Sequence, residues 1–286
     1  MLNVKPLAFD SFGVRSMATF VETGELKILI DPGVALGPKR YKLPPHEIEL
    51  ERCRDLWGVV KEHAAIADIL IITHYHYDHY NPEEPEIYED KVVYIKDPKA
   101  SINKSQKTRA SQFLEGLSEL PVSVDVADGN EYSHGSTRIK FSKPVFHGAN
   151  SKLGYVTEVS ISCGNEKVLH TSDVEGASQR DQINFVLEEK PDILILDGPM
   201  TYMLGYNYSN DDLRRSLENL RRVIFSTDVK CIVIDHHFMR DLKYDKRIEQ
   251  IYEIAEERGV KVITAAEYIG READMLEARR RELYKE

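Results

Sequence analysis

Residues 68–80 read DILIITHYHYDHY, in which the aliphatic run Ile69 to Ile72 leads straight into His74, His76, Asp78 and His79. A short run of β-branched and aliphatic residues bounded by polar ones predicts a strand buried on both faces. Three histidines and a carboxylate within six residues offer nitrogen and oxygen ligands to a borderline-soft divalent cation such as Zn²⁺. The alternation predicts His74 and His76 on one side of the loop, with Tyr75 and Tyr77 packing on the other. Asp78 and His79 are adjacent, so they diverge from that pair and are free to serve a second cation.

The same design, an aliphatic run stopped by a polar residue, recurs along the chain. LKILIDPG stops at Asp31, KPVFHG at His147, KVLHTSD at Asp173, DILILDGP at Asp197 and KCIVIDHH at Asp235 to His237. Gly148 lets the backbone turn sharply after His147. A carboxylate at Asp173 is placed to bridge two cations, and Asp197 to orient a ligand histidine. Only one of His236 and His237 need bind, since successive residues of an extended segment point to opposite faces. Amphipathic segments predict helices at 45–67, 105–120, 211–225 (capped by Asn210 or Asp211) and 245–258, the last stopped by Gly259. Residues 265–285 read as a final exposed helix. Strands with helices between them, and paired strands in the middle, predict α/β or α+β layering around a mixed sheet system.

The 286 residues carry a net charge of −10 and 42% hydrophobic residues, which excludes a disordered chain. So acidic a chain is poorly suited to gripping nucleic acid, whose phosphates demand Lys and Arg. Cys53, Cys163 and Cys231 form neither a disulfide framework nor a CxxC pair. The longest apolar stretch, 64–72, is interrupted by Asp68 and falls short of a membrane span. With no secretory signal at the N-terminus, a cytoplasmic protein is expected.

Asp31, the His74 to His79 cluster, His147, Asp173 and a final strand-end histidine follow the order of five motifs. In this the chain resembles the metallo-β-lactamase superfamily, over about residues 28 to 237. Within that superfamily it is most similar to an archaeal group of predicted metal-dependent hydrolases. The resemblance implies an α+β fold, a four-layer αββα sandwich of two mixed sheets with flanking helices, formed as a single domain over residues 1–286. The metal site would lie at one edge of the sheets. His74, His76 and His147 would hold a first cation; Asp78, His79 and one of His236 or His237 a second; Asp173 would bridge them. Asp31 would brace the site rather than ligate. The flavin-linked diiron branch typically has Glu where His76 stands, which favours hydrolysis here. A single-iron thiol dioxygenase branch keeps the same loop, so that chemistry stays open beside it.

The expected cofactors are two divalent cations, zinc first, with manganese or iron as alternatives. They would lower the pKa of a shared water from ~15.7 towards neutrality. The resulting metal-bound hydroxide would attack a small ester, lactone or phosphoester. Asp78 would orient it or relay a proton, and Asp173 is the other catalytic carboxylate. The run KDPKASINKSQKTR, 96–109, has five basic residues and no Glu. It predicts a cationic lid in which Lys104, Lys107 and Arg109 clamp an anionic substrate. The loop carrying Met200, Tyr202, Met203, Tyr206 and Tyr208 predicts an apolar pocket wall, Tyr206 included. The partner is therefore a small molecule, with no membrane and nucleic acid not favoured; a homo-oligomer is left open. Phosphodiesterase or nuclease action on nucleotides or RNA is the second reading.

Overall fold

The aliphatic runs become the central strands of two mixed sheets. The computed structural model describes residues 2–285. The first sheet holds β1 (Asn3–Phe9), β2 (Met17–Glu22), β3 (Lys27–Ile30), β4 (Ile69–Ile72), β5 (Val92–Ile95) and β6 (Ser123–Val126), in that order. It is antiparallel from β1 to β3 and parallel from β3 to β6. β7 (Glu131–His134) and β8 (Thr137–Phe141) begin the second sheet, and β9 (Val145–Phe146) with β10 (Tyr155–Val156) forms a separate ribbon. β11 (Val159–Cys163), β12 (Glu166–His170), β13 (Ile193–Asp197), β14 (Cys231–Asp235) and β15 (Lys261–Ile263) complete the second sheet, ordered β15-β14-β13-β12-β11-β8-β7.

Side chains alternate across the central strands, and both faces are apolar. Ile195 and Val233 point into the core shared with the first sheet. Their neighbours Leu194, Leu196, Ile232 and Ile234 join a second core under the helices. That double burial is why these strands read as continuous aliphatic runs. α1 (Glu47–Ile66) and α2 (Lys104–Leu117) cover the first sheet through Leu56, Val60, Ala64 and Phe113. α3 (Arg180–Glu189), α4 (Asn210–Ser226), α5 (Tyr244–Arg247) and α6 (Glu249–Glu257) follow, and α3, α4 and α6 cover the second sheet. The layering is αββα, as the motif order implied.

The helices depart from expectation in four places. α3 lies in a stretch where the sequence pattern predicts no helix. α4 is capped by Ser209, not by Asn210 or Asp211, because Ser209 and Asp212 satisfy each other's backbone N–H groups. The segment 245–258 breaks at Ile248, which is buried with φ −124°. The tail 265–285 is not continuous, and only part of it is exposed. It forms α7 (Ala265–Tyr268), turns at Gly270 with φ +73°, and resumes as α8 (Leu276–Leu283). Arg280 of α8 is wholly buried, its guanidinium 2.7 Å from both oxygens of Glu49 in α1.

Candidate metal centre

β3 and β4 run parallel, as do β12, β13 and β14, so within each sheet their C-terminal ends share one edge. Asp31 follows β3, the 73–80 loop follows β4, Asp173 follows β12, Asp197 ends β13 and His236 follows β14. His147 follows the β9 ribbon strand, and Asp10 follows β1. Asp31, Ser172, Glu175 and His236 all adopt the left-handed region, with φ between 48° and 61°. Each such non-glycine residue costs about 1 kcal/mol or more, a strain concentrated around the site and sustained by its hydrogen bonds. A Cβ on Gly33 would strike the backbone of His79 and Tyr80, so the loop after β3 presses directly on the histidine loop.

Asp173 is the hub. Its Oδ2 lies 3.0 Å from His147 Nε2 and 3.5 Å from His74 Nε2. Its Oδ1 lies 3.0 Å from His79 Nε2 and 3.3 Å from His236 Nε2. Two groups of donor atoms result, His74–His76–His147–Asp173 and Asp78–His79–His236, each gathered within 4.8 Å. A third grouping joins Asp173, His236 and His237 within the same limit.

Most of the imidazoles are fixed through Nδ1, which leaves Nε2 for a ligand. His79 Nδ1 is 2.8 Å from Asp31, His236 Nδ1 is 2.8 Å from Asp10, and His237 Nδ1 is 3.0 Å from Asp197. His74 Nδ1 is 3.2 Å from Ser172 Oγ and its Nε2 3.0 Å from His76 Nδ1, while His147 Nδ1 stays 3.6 Å from Glu175, beyond hydrogen-bond distance. Carboxylates behind histidines in this way set tautomer and ring orientation at metal sites.

The donor set fits a cation. His79 Nε2, both His147 nitrogens and Asp173 Oδ1 are buried with no aligned hydrogen-bond partner, although some lie 3.0 Å apart. Burial works to discharge His79, but Asp173 and Asp31 outweigh it and raise it to about 10. Burial is likewise overcome at His147, raised to about 10 by the carboxylates of Asp173 and Glu175. Burial dominates at His76, lowered to about 3, and at His74, also lowered, with the charge of neighbouring histidines adding to it. Burial pushes Asp173 upward, yet His79, His236 and His74 hold it well below the usual carboxylate range. This arrangement calls for positive charge at its centre, which a divalent ion supplies without protons.

The cluster opens on a cleft with two arms. One, about 380 Å³, is bordered by His76, Asp78, Arg109, His147, Asp173 and His237. The other, about 430 Å³, is bordered by His147, Glu175, Met200, Tyr202, Tyr206 and His237. The sequence-predicted substrate residues therefore divide. Arg109 borders the first arm, its guanidinium 4.6 Å from the Tyr77 ring, and Tyr206 borders the second, 82% exposed. Lys104 and Lys107 lie exposed on α2 and border neither arm, because that face of the helix turns to solvent. Tyr208 is buried rather than in the wall, and Tyr77 is exposed at the rim while Tyr75 packs inside. Asp10, Glu175, Arg15 and Arg240 join the site without having been read from the sequence. The strand-end rule applied to VKPLAFD would have flagged Asp10; the other three carry no local signal.

Comparison with known proteins identifies the family. The model of the metallo-beta-lactamase superfamily matches residues 12–236. The chain belongs to the metallo-beta-lactamase superfamily, and with that stands among metal-dependent hydrolases. A UPF0282 protein of Korarchaeum cryptofilum is 54% identical over 284 residues, 99% of this chain and 94% of that protein. Within the superfamily, then, its family is UPF0282. Among solved structures, the metallo-beta-lactamase fold protein YhfI from Bacillus subtilis gives a TM-score of 0.58 at 15% identity, covering 96% of this chain and 98% of that one. The isothiocyanate hydrolase from Delia radicum gut bacteria gives 0.52 at 17% identity, covering 92% and 95%. These two share the fold.

Proposed function

We propose that the chain, acting as one domain over residues 1–286, is a dinuclear hydrolase of a small ester, lactone or phosphoester. The observation that carries this is the division of the Asp173 carboxylate. One oxygen faces His147 and His74 and the other faces His79 and His236, so a single residue serves two groups of donors. His74, His76 and His147 would hold one cation, and Asp78, His79 and His236 the other, with Asp173 between. Imidazole and carboxylate donors in this proportion suit zinc first, then manganese or iron. Three unpaired cysteines suit a reducing cytoplasm.

When bound, divalent cations lower the pKa of water towards neutrality and polarise the oxygen of the group under attack. The chain's own side chains do the rest. Asp78 borders the cleft and stays ionised, since His79 and His236 overcome the effect of burial. Its carboxylate is thus the acceptor for a proton leaving the attacking water. His237 is held neutral, chiefly by burial, and its Nδ1 is tied to Asp197. Its ring borders both arms of the cleft. Met200 and Tyr202 line the second arm and give the substrate an apolar wall there.

Full-length protein stripped of metal and reloaded with Zn²⁺, Mn²⁺ or Fe²⁺ should turn over at least one aryl ester, lactone or phosphodiester. Asp78→Asn should lower kcat about 100-fold or more. Oxygen consumption with thiols and a single bound iron, without hydrolysis, would contradict the proposal.

A further inference from the structure

We propose that Arg15 and Arg240 form a clamp for an anionic group on the substrate, a carboxylate or phosphate, and that Glu277 of α8 is the positioning residue that presents Arg15. The clamp rests on the hydrolase reading, because it stands over the same cleft.

Arg15 and Arg240 border both arms of the cleft, beside His147 and His237. They come from distant parts of the chain, the segment between β1 and β2 and the turn after β14. Each is aimed by one carboxylate. Glu277 takes Arg15 Nε at 2.6 Å and Nη2 at 2.7 Å, which uses two of five N–H donors. Asp10 takes Arg240 Nε at 2.7 Å, while its other oxygen holds His236 Nδ1 at 2.8 Å, and Arg240 Nη2 lies 3.4 Å from His236 Nε2, which leaves Nη1 and the second Nη2 hydrogen for a ligand. Gly37 leaves room for the first pair, since a Cβ there would lie 2.5 Å from Arg15 Nη2 and Glu277 Oε2.

Arg240 is close enough to oppose the Arg15 charge. Each guanidinium is paired with one carboxylate, yet both keep N–H donors beyond that pair at the border of one cleft. Lys152 and Arg109 add positive charge from the two arms. Of the acids of the cleft, Asp173 and Glu175 lie with the donor cluster, while Asp78 also attracts the Arg15 charge. An anion seated between Arg15 and Arg240 relieves their repulsion and meets the donors that Glu277 and Asp10 leave free, and a planar fork suits carboxylate and phosphate alike. This replaces Lys104 and Lys107 as the source of anion recognition.

The test measures binding of inorganic phosphate and of malonate by calorimetry, to the full chain with and without zinc. Wild type should bind at least one of them, and the preferred probe names the anion. Arg15→Gln should weaken that binding about tenfold, a loss of ~1.4 kcal/mol. Glu277→Gln should weaken it less, and restoring charge with Arg15→Lys should recover part. Arg214→Gln, which removes an exposed charge from α4, should leave it unaltered. Equal affinity in wild type and Arg15→Gln, with circular dichroism confirming that both are folded, would overturn the clamp, as would failure of both anions to bind. With zinc-loaded protein, the ratio of kcat/KM for an anionic over a neutral aryl ester should fall about tenfold in Arg15→Gln. An unchanged ratio with active enzyme overturns the clamp alone. Arg15-dependent binding without turnover of any ester supports the clamp and removes the hydrolase reading.

Discussion

The carboxylate of Asp31 lies 2.8 Å from Nδ1 of His79, which fixes that imidazole from the side away from Asp173. Asp31 also accepts the Thr73 backbone N–H at 2.8 Å and its hydroxyl at 2.7 Å, so one side chain anchors both ends of the histidine loop. Asp31→Asn keeps the shape but loses the charge and one acceptor. Metal affinity should fall about 10- to 100-fold, read by competition with a chromophoric chelator. Unchanged affinity would mean that the ring is oriented by the loop alone.

Gly33 presses on the same loop from below. The atoms a Cβ would meet are main chain, which cannot swing aside. Gly33→Ala should therefore cost about 1–3 kcal/mol in stability and reduce the metal content of the protein. Thermal melts and metal analysis check both, and a variant that matches wild type in each would show the approach to be slack.

His79 and His147, each raised to about 10, make stability depend on pH. Their folded values exceed the unfolded value of about 6.5. The contribution is thus fully present below about pH 6.5 and is lost as pH rises towards 10. Metal-stripped protein should lose thermal stability across that window, while loaded protein, in which cations replace the protons, should lose much less. Loading near pH 8 should release protons, measurable by calorimetry in buffers of different ionisation enthalpy. Parallel melting profiles and no proton release would contradict this.

The ion pair between Arg280 and Glu49 is wholly buried. Arg280→Met strands a charge in the interior and should cost about 3–5 kcal/mol in urea denaturation. Pairing it with Glu49→Leu should recover much of the loss. A cost below about 1 kcal/mol for the single variant would mean that water reaches Glu49.

Much of the site is legible in the sequence because parallel strands end abruptly, and the residues just past each strand end land on a shared edge. Asp31, His74, Asp173, Asp197 and His236 obey that rule, whereas His147 reaches the same edge from the separate antiparallel ribbon. Asp10 also sits just past a strand end, but β1 is antiparallel and its proline at position 6 disguises it. Arg15, Glu175 and Arg240 are illegible because their role comes from partners up to 262 residues away, as with Arg15 and Glu277. The tail misleads for a related reason. Its charge density, Glu277 to Glu282, reads as a solvated helix, and only the fold places Glu49 and Arg15 opposite those charges.

Metal analysis of the full-length protein, joined to anomalous diffraction at the zinc edge, addresses the Asp173 hub most directly. Two ions per chain are expected, one beside His74, His76 and His147, the other beside Asp78, His79 and His236, each in contact with a different Asp173 oxygen. A single ion, or two that leave Asp173 untouched, would contradict the account.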